Sequence, residues 1–253
     1  MISSVANPTI KRVRRLRKRM WRERTRQVLV EGHRAVGVAI AAGVKPSEVL
    51  HTRAAARGRQ ALLQAARAAG ASISQVSPAV MAHLTSETTA PDVLAVAPLI
   101  ETSPERAATS FGVVLAGVHD PAAAGGIMAL AAATIGGAVF EGDNTVDLFA
   151  PKTIRAAQGA HYHLTVVRGA EESDVVERYR AAGSTIAVVS GEGPPPWERD
   201  LTGPLLVIID AEGRWAEKAP DDRVSVPAST TEPSLSARAA VVLYERMRQE
   251  RAR

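Results

Sequence analysis

The chain has 253 residues, of which 46% are hydrophobic, 4% aromatic and none cysteine. That length allows one large domain or two modest ones with a real core, packed mainly by aliphatic side chains. The lack of cysteine excludes disulfides and thiolate metal sites, and the absence of a long apolar run excludes a membrane-spanning helix. The first residues, Ile2-Ser3-Ser4-Val5-Ala6-Asn7-Pro8, lack the apolar core of a secretory signal, so a soluble cytoplasmic chain is expected. Net charge is +5, and its distribution says more than its sum. Lys11 to Arg26 holds ten basic residues (among them Lys11, Arg12, Arg14, Arg15, Arg17 and Lys18) against one acid, a local charge of +9, so the remainder sums to −4. An arginine-dominated block of this kind suits bidentate contacts to phosphates, and nucleic acid is its expected partner. Val13, Leu16, Met20 and Trp21 recur at helical spacing and supply an apolar stripe that docks the segment.

Along the chain, helix and strand alternate. Asn7-Pro8 opens the basic helix, and Gln27 to Glu31 reads as a strand ended by Gly32. Ala35 to Ala42 is a helix, Ser47 to His51 a strand, Arg59 to Ala69 a helix, Ser72 to Val76 a strand, Pro78 to Leu84 a short helix and Val93 to Ala97 a strand. This makes a module over residues 1–99, followed by a linker at 100–110 that lacks apolar periodicity. The pattern restarts with Gly112 to Val118, a buried strand, and a helix over Gly125 to Ile135. Ala138 to Phe140, His163 to Val167 and Ser184 to Val189 are strands, separated by helices at Lys152 to Gln158 and Glu171 to Ala182. Leu205 to Ile209 is a fully apolar strand that breaks at Asp210-Ala211-Glu212-Gly213 and leads through a charged loop to a short strand at Val224 to Pro227. A polar stretch ending in Ser234 then opens a final arginine-rich helix. Strands separated by helices imply a mostly parallel sheet over residues 111–253, with a ligand pocket at the strand carboxyl ends.

Several stretches together resemble one family. Asp120-Pro121, with Gly125 leading into a helix, resembles the first motif of the SpoU/TrmH group of SPOUT RNA 2′-O-ribose methyltransferases. Pro151 to His161 is similar to their second motif, and Glu212-Gly213, Val226-Pro227 and Ser234-Leu235 resemble the third. Asn7-Pro8, Ile10-Lys11 and Val30-Glu31-Gly32 are similar to the L30e-like substrate-binding domain of rRNA-modifying members. The resemblance spans nearly the whole chain. It implies an α/β protein in which an L30e-like RNA-binding domain precedes a trefoil-knotted SPOUT domain. It also implies S-adenosylmethionine as methyl donor, rRNA or tRNA as substrate, and a homodimer that buries the C-terminal helix. Carried over by position, it makes Glu212, Ser234 and Arg155 catalytic residues. Asp210, Glu212, Gly213, Val226 and Leu235 become cofactor contacts, and Lys152 and Arg155 join the basic block as RNA contacts.

The departures point the other way. The first motif reads D-P-x-N-x-G-x-x-x-R in the family, and here its asparagine and arginine positions are Ala123 and Ala129. Asp210 replaces the glycine of the G-x-E loop, Ser236 the asparagine of S-L-N, and Ala157 the serine of the second motif. The family's arginine assists removal of the 2′-hydroxyl proton, and no neighbour of Ala129 substitutes for it automatically. His119, beside Asp120, is either a replacement base or a surface residue. Asp210 is either a cofactor contact or a loop substitution in a lost pocket. Glu212 is either a pocket carboxylate or a cap, Ser234 is also a routine helix N-cap, and Lys152 and Arg155 are either phosphate contacts or surface charge. Trp197 and Trp215 either stack on a base or pack against the chain, and His161 and His163 are too few to hold a metal. Three functions follow: a ribose methyltransferase, an RNA-binding protein on a degenerate scaffold, or a pocket repurposed for another small molecule.

Overall fold

The computed structural model describes residues 1–85 and 89–253, which form two compact units. The first unit comprises Met1–Ile100 and Phe149–Tyr162, the second Glu101–Leu148 and His163–Arg253.

The basic segment is two helices rather than one. α1 (Pro8–Arg15) starts where the Asn7 side chain accepts from Thr9 N and where Pro8 occupies the first turn, which does not need its missing N–H. A turn at Leu16-Arg17-Lys18 separates it from α2 (Arg19–Thr25), which Arg26 ends in the left-handed conformation. β1 (Gln27–Glu31), α3 (His33–Ala41), β2 (Glu48–His51), α4 (Arg53–Gly58), α5 (Gln60–Ala68), β3 (Ser72–Gln75), α6 (Pro78–Leu84) and β4 (Val93–Pro98) complete the run. α4 is absent from the sequence expectation because its apolar content is only alanine; Thr52 caps it by accepting from Ala55 N. The strands lie in the order β1-β4-β2-β3, with β4 antiparallel to both neighbours and β2 parallel to β3. Ile10, Val13 and Leu16 are buried against Leu29, Leu50, Met81 and Leu94. Met20 is exposed and Trp21 is flanked by Arg15 and Arg24, so the docking stripe is shorter than its spacing suggests.

The second unit begins on β5 (Phe111–Ala116), α7 (Pro121–Thr134) and β6 (Ala138–Glu141). The chain then contributes α8 (Pro151–Ala156) to the first unit, where it packs on β1. It returns as β7 (Thr165–Val167), α9 (Glu172–Ala181), β8 (Thr185–Ser190), β9 (Leu205–Asp210), α10 (Arg214–Lys218), β10 (Arg223–Ser225) and α11 (Leu235–Arg251). These strands make a six-stranded, wholly parallel sheet in the order β10-β8-β9-β5-β6-β7. β5 and β9 are buried along their whole length, as continuous apolar runs demand when both faces are covered. The stretch at 101–110 is held to this unit: Thr102 bridges to Val167, Ala107 is buried, and Arg178 donates to the carbonyls of Pro104 and Ala107. No helix among the described residues is long and apolar enough to cross a membrane.

Candidate active site

In an open parallel sheet the ligand crevice lies outside the strand carboxyl ends, where successive connections run in opposite directions. Here the chain leaves β5 toward β6 and β7 on one side and fills β8, β9 and β10 on the other. The β5 and β9 ends therefore meet at that switch point, with register Ala116↔Asp210.

Past β5, Gly117 takes φ +67°, and a Cβ there would lie 2.6 Å from Glu212 Cγ. Glycine thus lets the Glu212 side chain cross the end of β5. It reaches His119, whose Nε2 lies 3.0 Å from Glu212 Oε1. On the other side Arg214 Nε lies 2.9 Å from Glu212 Oε2, an ion pair in which the N–H bond does not point at the oxygen. Asp120 does not join this cluster. Its carboxylate accepts from Ala122 N at 3.1 Å and Ala123 N at 3.2 Å, capping α7. Ala129 lies half-buried two turns further along α7.

Beside this cluster a cavity of about 480 Å³ opens at the ends of β8, β9 and β10, lined in part by Ser190, Gly191, Asp210, Gly213, Glu232 and Arg238. Asp210 is only 4% exposed, and its Oδ2 accepts from Trp215 N at 2.7 Å and Ala216 N at 2.9 Å. The aspartate in the glycine position therefore caps α10, the helix that sequence reading takes for a charged loop, while also lining the cavity. Gly213, at φ +77°, makes the turn into that helix. Trp215 packs in the core with its Nε1 donating to Glu172 Oε2 at 2.6 Å, whereas Trp197 is exposed.

The residues singled out from sequence separate into groups. Asp210 and Gly213 line the cavity, while Glu212 points to His119. Val226 and Leu235, expected as cofactor contacts, are half-buried just past β10 and at the start of α11 but do not line the cavity. Ser234 is an N-cap, accepting from Ala237 N at 3.3 Å. Arg155 belongs to the first unit, where it lines a cleft of about 330 Å³ with Glu31, Gly32, His33 and Asp92; Lys152, on the same helix, is exposed. His161 is buried with its ring 5.3 Å from that of Phe149.

The basic block divides as well. Lys11, Arg14, Arg15, Arg17 and Lys18 line a cleft of about 830 Å³ in the first unit. Arg12 instead pairs with Glu48, and Arg22 is buried, donating to the carbonyls of Leu16 and Arg17 at 2.9 Å each. Arg238, Glu232 and Arg214 carry no signal in the sequence, because each lies in an ordinary charged stretch and only folding brings it to the strand ends.

Comparison with known proteins gives the frame for this geometry. The model of the SpoU rRNA Methylase family matches residues 110–244, and that of the MRM3-like substrate binding domain matches residues 7–95. The chain belongs to the SpoU rRNA methylase family. An uncharacterized tRNA/rRNA methyltransferase of Synechocystis sp. is 28% identical over 98% of this chain and 94% of its own. The 23S rRNA (guanosine(2553)-2′-O)-methyltransferase of Bacillus subtilis is 28% identical over 86% and 85%. Among solved structures, the SpoU methyltransferase AviRb of Streptomyces viridochromogenes, in complex with the cofactor AdoMet, superposes with a TM-score of 0.79 at 25% identity, over 96% of this chain and 98% of that one. Within this SpoU-family chain, the matched region begins on β5 and extends into α11, so it takes in the whole six-stranded sheet and the cavity at its strand ends.

Proposed function

We propose that the chain is an S-adenosylmethionine-dependent RNA 2′-O-ribose methyltransferase acting on rRNA, in the cytoplasm and as a homodimer. The observation that carries the reading is the cavity at the ends of β8, β9 and β10 beside the His119–Glu212 pair, in a chain that aligns almost end to end with a cofactor-bound SpoU methyltransferase. Its volume falls in the roughly 300–1,000 Å³ range of small-molecule sites. The residues present fit such a ligand, since two that line the cavity keep a buried polar atom without a partner among the described residues, the acceptor Asp210 Oδ1 and the donor Arg238 Nε. Gly191, Asp210, Gly213 and Arg238 would hold the methyl donor, which when bound supplies an electrophilic methyl group. Exposed Val241 and Tyr244 on α11 support a second copy docking there.

A ribose 2′-hydroxyl is a poor nucleophile until its proton is taken, and α7 has alanine where the family pattern carries arginine. His119 fills that role in this reading. With the proton on Nε2 it donates to Glu212 Oε1, and Nδ1 keeps its lone pair as the proton acceptor. Glu212 fixes the tautomer and steadies the imidazolium that forms, while Arg214 holds the other carboxylate oxygen. The first unit binds the RNA through its arginine-lined cleft.

A second reading, an RNA-binding member without catalysis, is favoured by Ala123 and Ala129. Labelled-methyl transfer to rRNA, with titration of the cofactor in parallel, separates the two. The enzyme reading expects transfer that falls by about 10²–10⁴ in His119→Ala with cofactor binding unchanged. RNA binding with no transfer by the unaltered chain establishes the second reading.

A further inference from the structure

Two residues that line the cavity at the ends of β8, β9 and β10 each carry a buried polar atom without a hydrogen-bond partner among the described residues. Asp210 uses Oδ2 to cap α10, and its Oδ1 has no hydrogen-bond partner among the described residues. Arg238, on the first turn of α11, has a buried Nε in the same condition. Its Nη1 lies 3.8 Å from Glu232 Oε2, too far for a hydrogen bond. The two side chains form no ion pair with each other among the described residues. Buried polar groups are otherwise satisfied almost everywhere in proteins, so a lone acceptor and a lone donor lining one cavity mark positions that a ligand completes.

The remaining charges narrow the choice. Arg223 is already engaged, with Nε donating to Ala216 O at 2.8 Å and Nη1 3.3 Å from Glu192 Oε2. Arg238 pairs with Glu232 only through Nη1 at 3.8 Å, which leaves its Nε as a lining donor open to an anionic group among the described residues. On the acidic side, Glu192 is occupied by Arg223 and is 86% exposed, while Glu232 lies across Gly191, where a Cβ would meet its Oε1 at 2.8 Å. Asp210 is thus the buried lining acceptor that keeps an oxygen without a partner among the described residues. A ligand group that satisfies both residues carries an N–H donor and an anionic acceptor, and a free α-amino acid moiety has both.

We propose that Asp210 and Arg238 clamp the amino-acid end of the ligand, the ammonium donating to Asp210 Oδ1 and the carboxylate accepting from the Arg238 guanidinium. The inference rests on reading this cavity as the cofactor site, and it turns the departure at Asp210 into a binding feature of this chain. It also explains how a carboxylate is accommodated where the family pattern has glycine: the added anion meets the ligand's cationic end, and Arg238 supplies the matching charge for its anionic end.

Isothermal titration of the full chain with S-adenosylhomocysteine and with 5′-methylthioadenosine tests this. The two share the nucleoside and thioether, and only the first has the amino-acid group. Asp210→Asn keeps an oxygen for the α10 cap, and Arg238→Gln keeps the side-chain length. Charge-assisted hydrogen bonds of this type correspond to about tenfold or more in affinity. Each variant should therefore weaken S-adenosylhomocysteine by about tenfold or more and leave methylthioadenosine within about twofold. Equal losses for both ligands, or none for either, overturn the clamp while leaving the cofactor reading intact. Failure of the unaltered chain to bind either ligand overturns the cofactor reading and the clamp together.

Discussion

Neutralising four of the cations that line the first unit's basic cleft should flatten the salt dependence of RNA binding, by an amount that the geometry fixes. Of the ten basic residues between Lys11 and Arg26, five line the cleft: Lys11, Arg14, Arg15, Arg17 and Lys18. Arg12 is tied to Glu48, Arg19 to Glu23 at 2.7 Å, and Arg22 is spent on the carbonyls that hold the turn between α1 and α2. Each phosphate neutralised on a single strand adds about 0.7 to the slope of log affinity against log salt, so five cations give a slope near −3.5. Raising salt from about 50 to about 200 mM should then weaken the intact chain about 130-fold. With Arg14, Arg15, Arg17 and Lys18 changed to glutamine, one cation remains and the loss should be about threefold. Fluorescence anisotropy with a labelled rRNA fragment across that salt range measures both slopes, with Arg12→Gln as the control. A slope that Arg12→Gln alters as much as Arg14→Gln does, or one unmoved by the fourfold change, refutes the sorting.

Three further outcomes concern the second unit. Gly112→Ala would place a Cβ 2.3 Å from the Tyr179 hydroxyl and 3.0 Å from Leu206 Cδ1, and should cost about 1–3 kcal/mol in a chemical denaturation curve. Arg246 is 5% exposed, donates to the carbonyls of Leu201 at 2.7 Å and Gly203 at 2.8 Å, and lies over the Phe111 ring. Its replacement by methionine leaves both carbonyls unpaired, while Glu250 keeps the Gly203 N–H at 2.7 Å, and a loss of about 3 kcal/mol should appear in the same assay. Burial pushes the Tyr179 hydroxyl up from 10.0 to about 12, against a smaller opposing pull from Arg178. The folded chain then holds this proton more tightly than the unfolded one, so the contribution of Tyr179 to stability is constant below about pH 10 and is lost as pH rises from 10 toward 12. Tyr179→Phe should remove that part of the alkaline fall in thermal melts, and an unchanged profile would locate the titration elsewhere.

The strands were the most legible part of the chain. Gln27 to Glu31, Leu205 to Ile209 and the other apolar runs fall where folding places them, because a fully covered sheet demands continuous apolar residues. The basic segment reads as one helix because its helical spacing continues through Leu16-Arg17-Lys18, but the backbone turns there, held by Arg22, and makes two. α4 and α10 were missed, the first for want of apolar residues larger than alanine and the second because its cap, Asp210, reads in sequence as a strand-end substitution.

Local chemistry sufficed for composition, charge block, alternation and motifs, and with them the family. These depend on neighbours along the chain, and spacing records them. Partnership across the fold was decided only in three dimensions. His119 and Glu212 are 93 positions apart and share a hydrogen bond because β5 and β9 are adjacent and in register. Asp210 and Arg238 line one cavity because α11 returns to the strand ends. A carboxylate's role depends on which donors surround it, and that is fixed by tertiary contacts rather than by position in the chain.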